Sequence, residues 1–138
     1  MLDKNATVLL VDDSADDRFL VRLCWERAGI PNPLVTLDDG QEAIDYLSNL
    51  GPRLPGLVLL DLKMPVRNGF EVLAWMRADD GCRRIPVIIF TASDQPSDVG
   101  QAYALGASSF LVKPSSVEDL MTLLESIKAY WLRFNEYP

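Results

Sequence analysis

The sequence predicts an α/β protein, a single doubly wound domain with a parallel sheet between two layers of helices. Three observations lead there. Short apolar runs alternate with amphipathic stretches five times along the chain, which is how repeated β-α units look in sequence. The first, third and fourth runs are apolar at consecutive positions, as strands buried on both faces require. No linker, low-complexity segment or internal repeat divides the 138 residues, so residues 1–138 read as one domain.

Taken in order, Ala6 to Val11 is the first strand and ends in Asp12-Asp13. Ser14 then caps a helix, with Asp17 three residues on, and Gly29 stops it. Helical spacing puts Leu20, Leu23, Cys24 and Ala28 on the buried stripe of that helix. Pro33 to Leu37 is a weaker second strand, and the helix after Asp38-Asp39-Gly40 turns Ala43, Ile44 and Leu47 inward. Leu57 to Leu60 is the third strand and ends in Asp61. Past Lys63-Met64-Pro65, Asn68-Gly69 opens a helix with Val72, Leu73 and Met76 on one side. Pro86 to Phe90 is the fourth strand, ending at Thr91, and a helix follows from Pro96 to Leu105. Ser108 to Val112 is the fifth strand, ending at Lys113-Pro114. The last helix runs from Ser116 into the low 130s, and residues 129–138 extend it with Tyr130, Trp131, Phe134 and Tyr137.

Composition narrows the chemistry. Twenty acids against 13 bases leave a net charge of −7, which argues against a nucleic-acid module. No apolar run approaches the ~20 residues of a membrane span, and Met1 to Asn5 does not look like a signal peptide. A cytoplasmic location without membrane contact is the expectation. There is no histidine, so a Ser-His-Asp triad, a Cys-His pair and a His-ligated zinc are excluded. Cys24 and Cys82 form no CxxC and read as reduced thiols. Any metal is therefore a hard cation on carboxylates.

In an open parallel sheet the site lies beyond the carboxyl ends of the strands. Those ends carry Asp12 and Asp13, Asp61, Thr91 and Lys113. Each alone has an ordinary explanation as a cap, a strand end or a solvated charge. Four strand ends carrying acid, acid, hydroxyl and ammonium on one edge do not. Carboxylates held close repel one another, and a divalent ion together with Lys113 neutralises them. Mg²⁺ suits an all-oxygen site that also takes phosphate. The arrangement fits a phosphoryl-receiving centre in which Asp61 attacks in line while the metal and Lys113 stabilise the equatorial oxygens.

The set Val11-Asp12-Asp13, Asp61-Leu-Lys-Met-Pro65, Thr91-Ala92 and Lys113-Pro114 resembles the receiver domain of two-component response regulators across essentially the whole chain. The resemblance implies a flavodoxin-like three-layer sandwich with strand order 2-1-3-4-5. It implies Asp61 as phosphoacceptor, with Asp13, Asp61 and the Lys63 carbonyl as metal ligands and Asp12 helping through water. Thr91 and Lys113 would grip the phosphoryl group, and the Lys113–Pro114 bond would be cis. Phe110 stands where many members have the tyrosine that turns inward on activation. The implied function is a signalling switch and not an enzyme, with only self-phosphorylation and slow self-dephosphorylation. Without a histidine the chain must draw its phosphoryl group from a partner histidine kinase, and without an output domain it would signal to a downstream protein by contact. The Tyr-Trp ending is similar to small single-domain regulators paired with phytochrome-type kinases.

Two enzymatic or cofactor-binding readings compete. A haloacid-dehalogenase-type, Mg²⁺-dependent phosphohydrolase with an aspartate nucleophile would want D-x-D, whereas this chain has Asp61-Leu62-Lys63. A flavodoxin-like flavin binder would want a Ser/Thr/Gly-rich loop after the first strand, where Asp12-Asp13-Ser14 stands. The aromatic tail adds one more expectation. With the receiver core complete before it, Trp131 and Phe134 would bury against a second copy and make a homodimer.

Overall fold

A computed structural model describes residues 1–138. Five strands alternate with five helices: β1 (Val8–Val11), α1 (Ala15–Arg27), β2 (Leu34–Leu37), α2 (Gly40–Ser48), β3 (Leu57–Leu60), α3 (Gly69–Ala78), β4 (Val87–Thr91), α4 (Pro96–Ala104), β5 (Ser109–Val112) and α5 (Val117–Ile127). The sheet is parallel throughout in the order β2-β1-β3-β4-β5. That is the expected doubly wound α/β fold. Chain order reverses at β1, so the crevice between β1 and β3 opens at their carboxyl ends.

Burial follows from strand alternation. Val8, Leu10, Leu57, Leu59, Ile88 and Phe90 point to one face, where Val21, Cys24 and Trp25 of α1 and Leu120, Leu124 and Ile127 of α5 cover them. Leu9, Val11, Val58, Leu60, Val87 and Ile89 point to the other, under α2, α3 and Ala102 of α4. Each such side chain contributes about 1.5–3 kcal/mol on burial. The central strands β1, β3 and β4 are buried at every position, while the edge strands β2 and β5 are only partly covered.

Local signals held well. Ser14, Asp39, Asn68 and Ser116 each accept a backbone N–H at a helix N-terminus, and Asn68 with Glu71 closes a full capping box. Gly29, at φ +66°, ends the turn after α1. The buried stripe of α1 departs from expectation: Val21 and Trp25 join Cys24 and Ala28, whereas Leu20 and Leu23 are half-covered. The helix is rolled toward α5 and the base of the sheet, where the Trp25 indole N–H donates to the Asn32 carbonyl at 2.9 Å.

The tail brings a second correction. Past Ile127 the chain continues as a π-helix over Lys128–Phe134, whose bonds close over five residues instead of four. Ile127 and Leu132, five apart, therefore face the same way, and Leu132 completes the core on the α1/α5 side. Trp131 and Tyr137 pack against that core, while Tyr130 and Phe134 stand out at 55% and 67% exposure. The N-terminus is tied in too. Leu2 is buried and its N–H donates to the Leu132 carbonyl at 3.0 Å. The hydrophobic core is thus incomplete without residues beyond Ala129.

Candidate functional site

Register builds the site. Val11 pairs with both Leu37 and Leu60, so Asp12 and Asp61, the next residues, leave the sheet at one level. The ladder runs one rung further: Asp12 N–H donates to Leu37 and Asp61 N–H to Val11, each at 3.0 Å. Thr91 pairs with Val112, and Lys113 N–H donates back to the Thr91 carbonyl at 2.7 Å.

Alternation then sorts the side chains. Asp12 follows Leu10, Asp61 follows Leu59 and Lys113 follows Leu111 by two residues, so all three share the α1/α5 side. Thr91 follows Ile89 and so takes the opposite side, where Phe110 packs half-buried against the other core cluster. Phe110 pairs in register with Ile89 on the neighbouring strand. The hydroxyl and the aromatic ring thus share the α3/α4 side of the sheet.

Close approach at two glycines shapes the β3–α3 corner. A Cβ on Gly69 would lie 2.1 Å from the Asp61 carbonyl oxygen, and one on Gly40 would lie 2.1 Å from that of Arg67. Only glycine lets the start of α3 sit against the end of β3, with Gly69 N–H donating to Leu62 at 2.9 Å. In the same corner Val66 adopts φ +67° and is exposed, an unusual conformation for a β-branched residue. Lys63 is exposed beside it.

Three carboxylates meet one ammonium here, with a fourth close by. Asp12, Asp13 and Asp61 bring carboxylate oxygens within 4.8 Å of one another. Lys113 Nζ lies 2.8 Å from Asp12 Oδ2, 2.8 Å from Asp17 Oδ2 and 2.9 Å from Asp61 Oδ2. Asp12, Asp61 and Thr91 are buried, while Asp13 faces solvent. Burial pushes the Asp12 carboxyl above its ordinary value, and hydrogen bonding from Lys113 and the Ser14 N–H offsets only part of this. Burial also opposes the charge on Lys113, but its carboxylate partners outweigh that and hold the ammonium above its ordinary value. The two directions are compatible: Lys113 faces three anions, whereas Asp12 shares one cation with other acids. Asp12 accepts the Ser14 N–H through Oδ1 at 2.9 Å, yet its Oδ2 is buried with no well-aligned hydrogen-bond donor. A buried carboxylate oxygen that must share one ammonium with two other acids, inside an all-oxygen, net-negative cluster, is what a hard divalent cation with bound water would relieve.

The structure therefore brings together Asp12, Asp13, Asp61 and Lys113, and sets Thr91 at the adjoining strand end. It adds Asp17, which the sequence marked only as the partner of a cap. Its N–H does reach Ser14 Oγ at 3.2 Å, but its side chain turns to Lys113. An acid in the first turn just after Asp13 was the one available signal. The Lys113–Pro114 bond is trans, as are all peptide bonds in the chain. Trans is the lower-energy isomer even before proline, and it still leaves the Lys113 ammonium among the carboxylates. Burial pushes the Cys82 thiol up to about 12, and both cysteines are free and buried, in keeping with structural thiols.

Residues 8–125 match the family model described as the response regulator receiver domain. The probable methanogenesis regulatory protein FilR2 of Methanothrix harundinacea is 40% identical over 134 residues, covering 95% of this chain and 86% of that protein. Response regulator Rcp1 of Synechocystis sp. is 36% identical over 136 residues, covering 95% and 92%. The Mn²⁺-bound crystal structure of Rcp1 superposes with a TM-score of 0.86 at 34% identity, over 96% of this chain and 99% of that one. The phosphorylated cyanobacterial phytochrome response regulator RcpA superposes with a TM-score of 0.90 at 30% identity, over 97% and 99%.

Proposed function

The chain belongs to the response regulator receiver family, and from that premise we propose that it is a phospho-accepting switch with Asp61 as the acceptor. One observation carries the assignment: Asp61 is buried at the carboxyl end of β3, inside a carboxylate cluster, with the Lys113 ammonium 2.9 Å from its Oδ2. In the transfer, an Asp61 oxygen forms a bond to phosphorus as the bond from phosphorus to the donor breaks. The donor atom, a histidine nitrogen or the oxygen of a carboxylate such as acetate, leaves with the electron pair. Lys113 stabilises the equatorial phosphoryl oxygens, and Thr91 supplies a hydroxyl on the opposite side. Asp12, Asp13, Asp61 and the Lys63 carbonyl hold Mg²⁺, which supplies the positive charge that four carboxylates and one lysine lack.

Phe110 reads the movement of Thr91, since both lie on the α3/α4 side of the sheet, and carries it to the surface of α4, β5 and α5. Losing a hydroxyl makes the inward position of this ring less costly than that of a tyrosine. The whole of residues 1–138 acts as one receiver in the cytoplasm. Its donor is a sensor histidine kinase of phytochrome type, a pairing supported by the likeness to RcpA. The exposed Tyr130 and Phe134 support a homodimer through the end of α5 and its extension. Autophosphorylation by small donors and slow hydrolysis are its only chemistry.

Acetyl phosphate with Mg²⁺ should add one phosphoryl group by intact mass, and Asp61→Asn should remove it. The same adduct on Asp61→Asn overturns the assignment. For the dimer, light scattering should show Tyr130→Ala/Phe134→Ala as a monomer that still takes phosphate. A wild-type monomer at high micromolar concentration, phosphorylated or not, overturns that part.

A further inference from the structure

Lys113 has three ammonium protons and can accept nothing, and three carboxylates surround it. Two of them have other roles in the reading above, Asp61 as acceptor and Asp12 in the metal cluster. Asp17 has neither. It lies in the first turn of α1, and its carboxylate crosses to the residue after β5, 96 positions away, to accept the Lys113 proton at 2.8 Å. Its side chain is 39% exposed, against 1% for Asp12 and 7% for Asp61. Asp17 therefore draws the ammonium outward while the other two draw it inward. Both Asp17 and Lys113 line a cleft of about 80 Å³ with Leu20, Pro114 and Val117, next to the site.

We propose that Asp17 is a positioning residue that holds the outward side of the Lys113 ammonium and keeps it from sinking further between Asp12 and Asp61. The inference rests on Asp61 being the phosphoacceptor. Without the outward partner, the ammonium, already bonded to Asp12 and Asp61, settles deeper between them and releases less readily the Asp61 oxygen that must attack. It is also drawn away from where the incoming phosphoryl oxygens arrive. Once Asp61 carries the phosphoryl group, Lys113 exchanges its bond to Asp61 for one to a phosphoryl oxygen, and the Asp17 bond is retained. A role limited to the helix dipole does not account for the contact, because Asp16 in the same turn serves the dipole without touching Lys113.

The test follows acetyl phosphate labelling of the full chain at saturating Mg²⁺. Asp17→Ala should label about threefold to tenfold more slowly, and Asp17→Glu should recover most of the rate. In a Lys113→Ala background Asp17→Ala should cost nothing further, because the pair acts as a unit. A second readout needs neither metal nor donor. The Lys113 ammonium signal of ¹⁵N-lysine-labelled protein should exchange faster with water in Asp17→Ala and be restored in Asp17→Glu. Wild-type labelling together with an unchanged ammonium signal overturns the tether. A loss that persists undiminished in the Lys113→Ala background also overturns it, placing the effect in the helix. These outcomes stay separate from the parent reading, which fails only if Asp61→Asn still takes the label.

Discussion

The two ends of the sheet are built on opposite principles. At the carboxyl ends, Asp12, Asp17 and Asp61 share one lysine, with Asp13 close by, so the acids outnumber their only cation. At the amino ends, nearly every group has a partner. Leu2 and Leu132 are buried together and joined through the backbone, Asn32 donates to the carbonyls of Asp3 and Ala6, and Lys128 donates to the last turn of α1 at Ala28. Even the terminal amine lies 3.0 Å from Glu136, although so exposed a pair adds little. Apolar burial at the base holds the fold, and the unrelieved negative charge at the other end is what a bound cation would relieve. Stability and responsiveness are placed about one strand length apart.

The largest effect should come from the base. Leu132→Ala removes a buried side chain from the core and should cost about 2–4 kcal/mol, lowering the melting temperature by roughly 10 °C in calorimetry. Below that temperature the variant should still take a phosphoryl group on Asp61. A melting temperature unchanged from wild type would erase the contrast drawn here, because the tail would then be an appendage. Cutting the chain after Ala129 removes Leu132 together with Tyr130 and Phe134, and should both destabilise the fold further and leave a monomer.

At the charged end the sign should reverse. Asp13→Asn should weaken divalent binding by about tenfold or more, as seen in titration calorimetry. Its metal-free melting temperature should equal or slightly exceed that of wild type, because one repelling charge is gone. Wild-type affinity for Mg²⁺ in this variant would remove Asp13 from the ligand set.

The smallest effect is in the pH dependence. Lys113 is held above its ordinary 10.5 in the folded protein, so the native state keeps this proton where the unfolded chain has lost it. Its contribution is full below pH 10.5 and lost as pH rises through the folded value. Asp12, raised above 3.8 by burial, works against metal-free stability as pH climbs through its folded value. Denaturant melts without metal should therefore show stability falling with pH in both windows. Lys113→Met should lack the alkaline fall, and Asp12→Asn the acid one. Identical profiles for wild type and both variants would mean that the cluster carries no such linkage.

Much of this was legible in the residues because the signals were local. The cap at Ser14, the helix starts at Asp39, Asn68 and Ser116, the inward faces of α2 and α3, and the third strand at Leu57–Leu60 all match expectation. Site residues were legible for a related reason. A parallel sheet aligns its strand ends, so reading the residue after each strand finds Asp12, Asp61 and Lys113 without knowing a single distance. The tail was read as lying outside a core already complete before it, with its aromatics at near-helical spacing. The π-helical turn puts Leu132 on the side of Ile127, inside that core.

The chain by itself determined the order of strands and helices, the two-faced burial of the sheet and the chemistry gathered at one edge, because periodicity, capping and strand-end identity act within a few residues. Only the tertiary structure decided that Lys113 is shared among Asp12, Asp17 and Asp61, and that Leu132 in the tail closes the core. Those outcomes depend on register between strands and on helix packing. Both are set by the summed burial of distant side chains, which no local pattern contains.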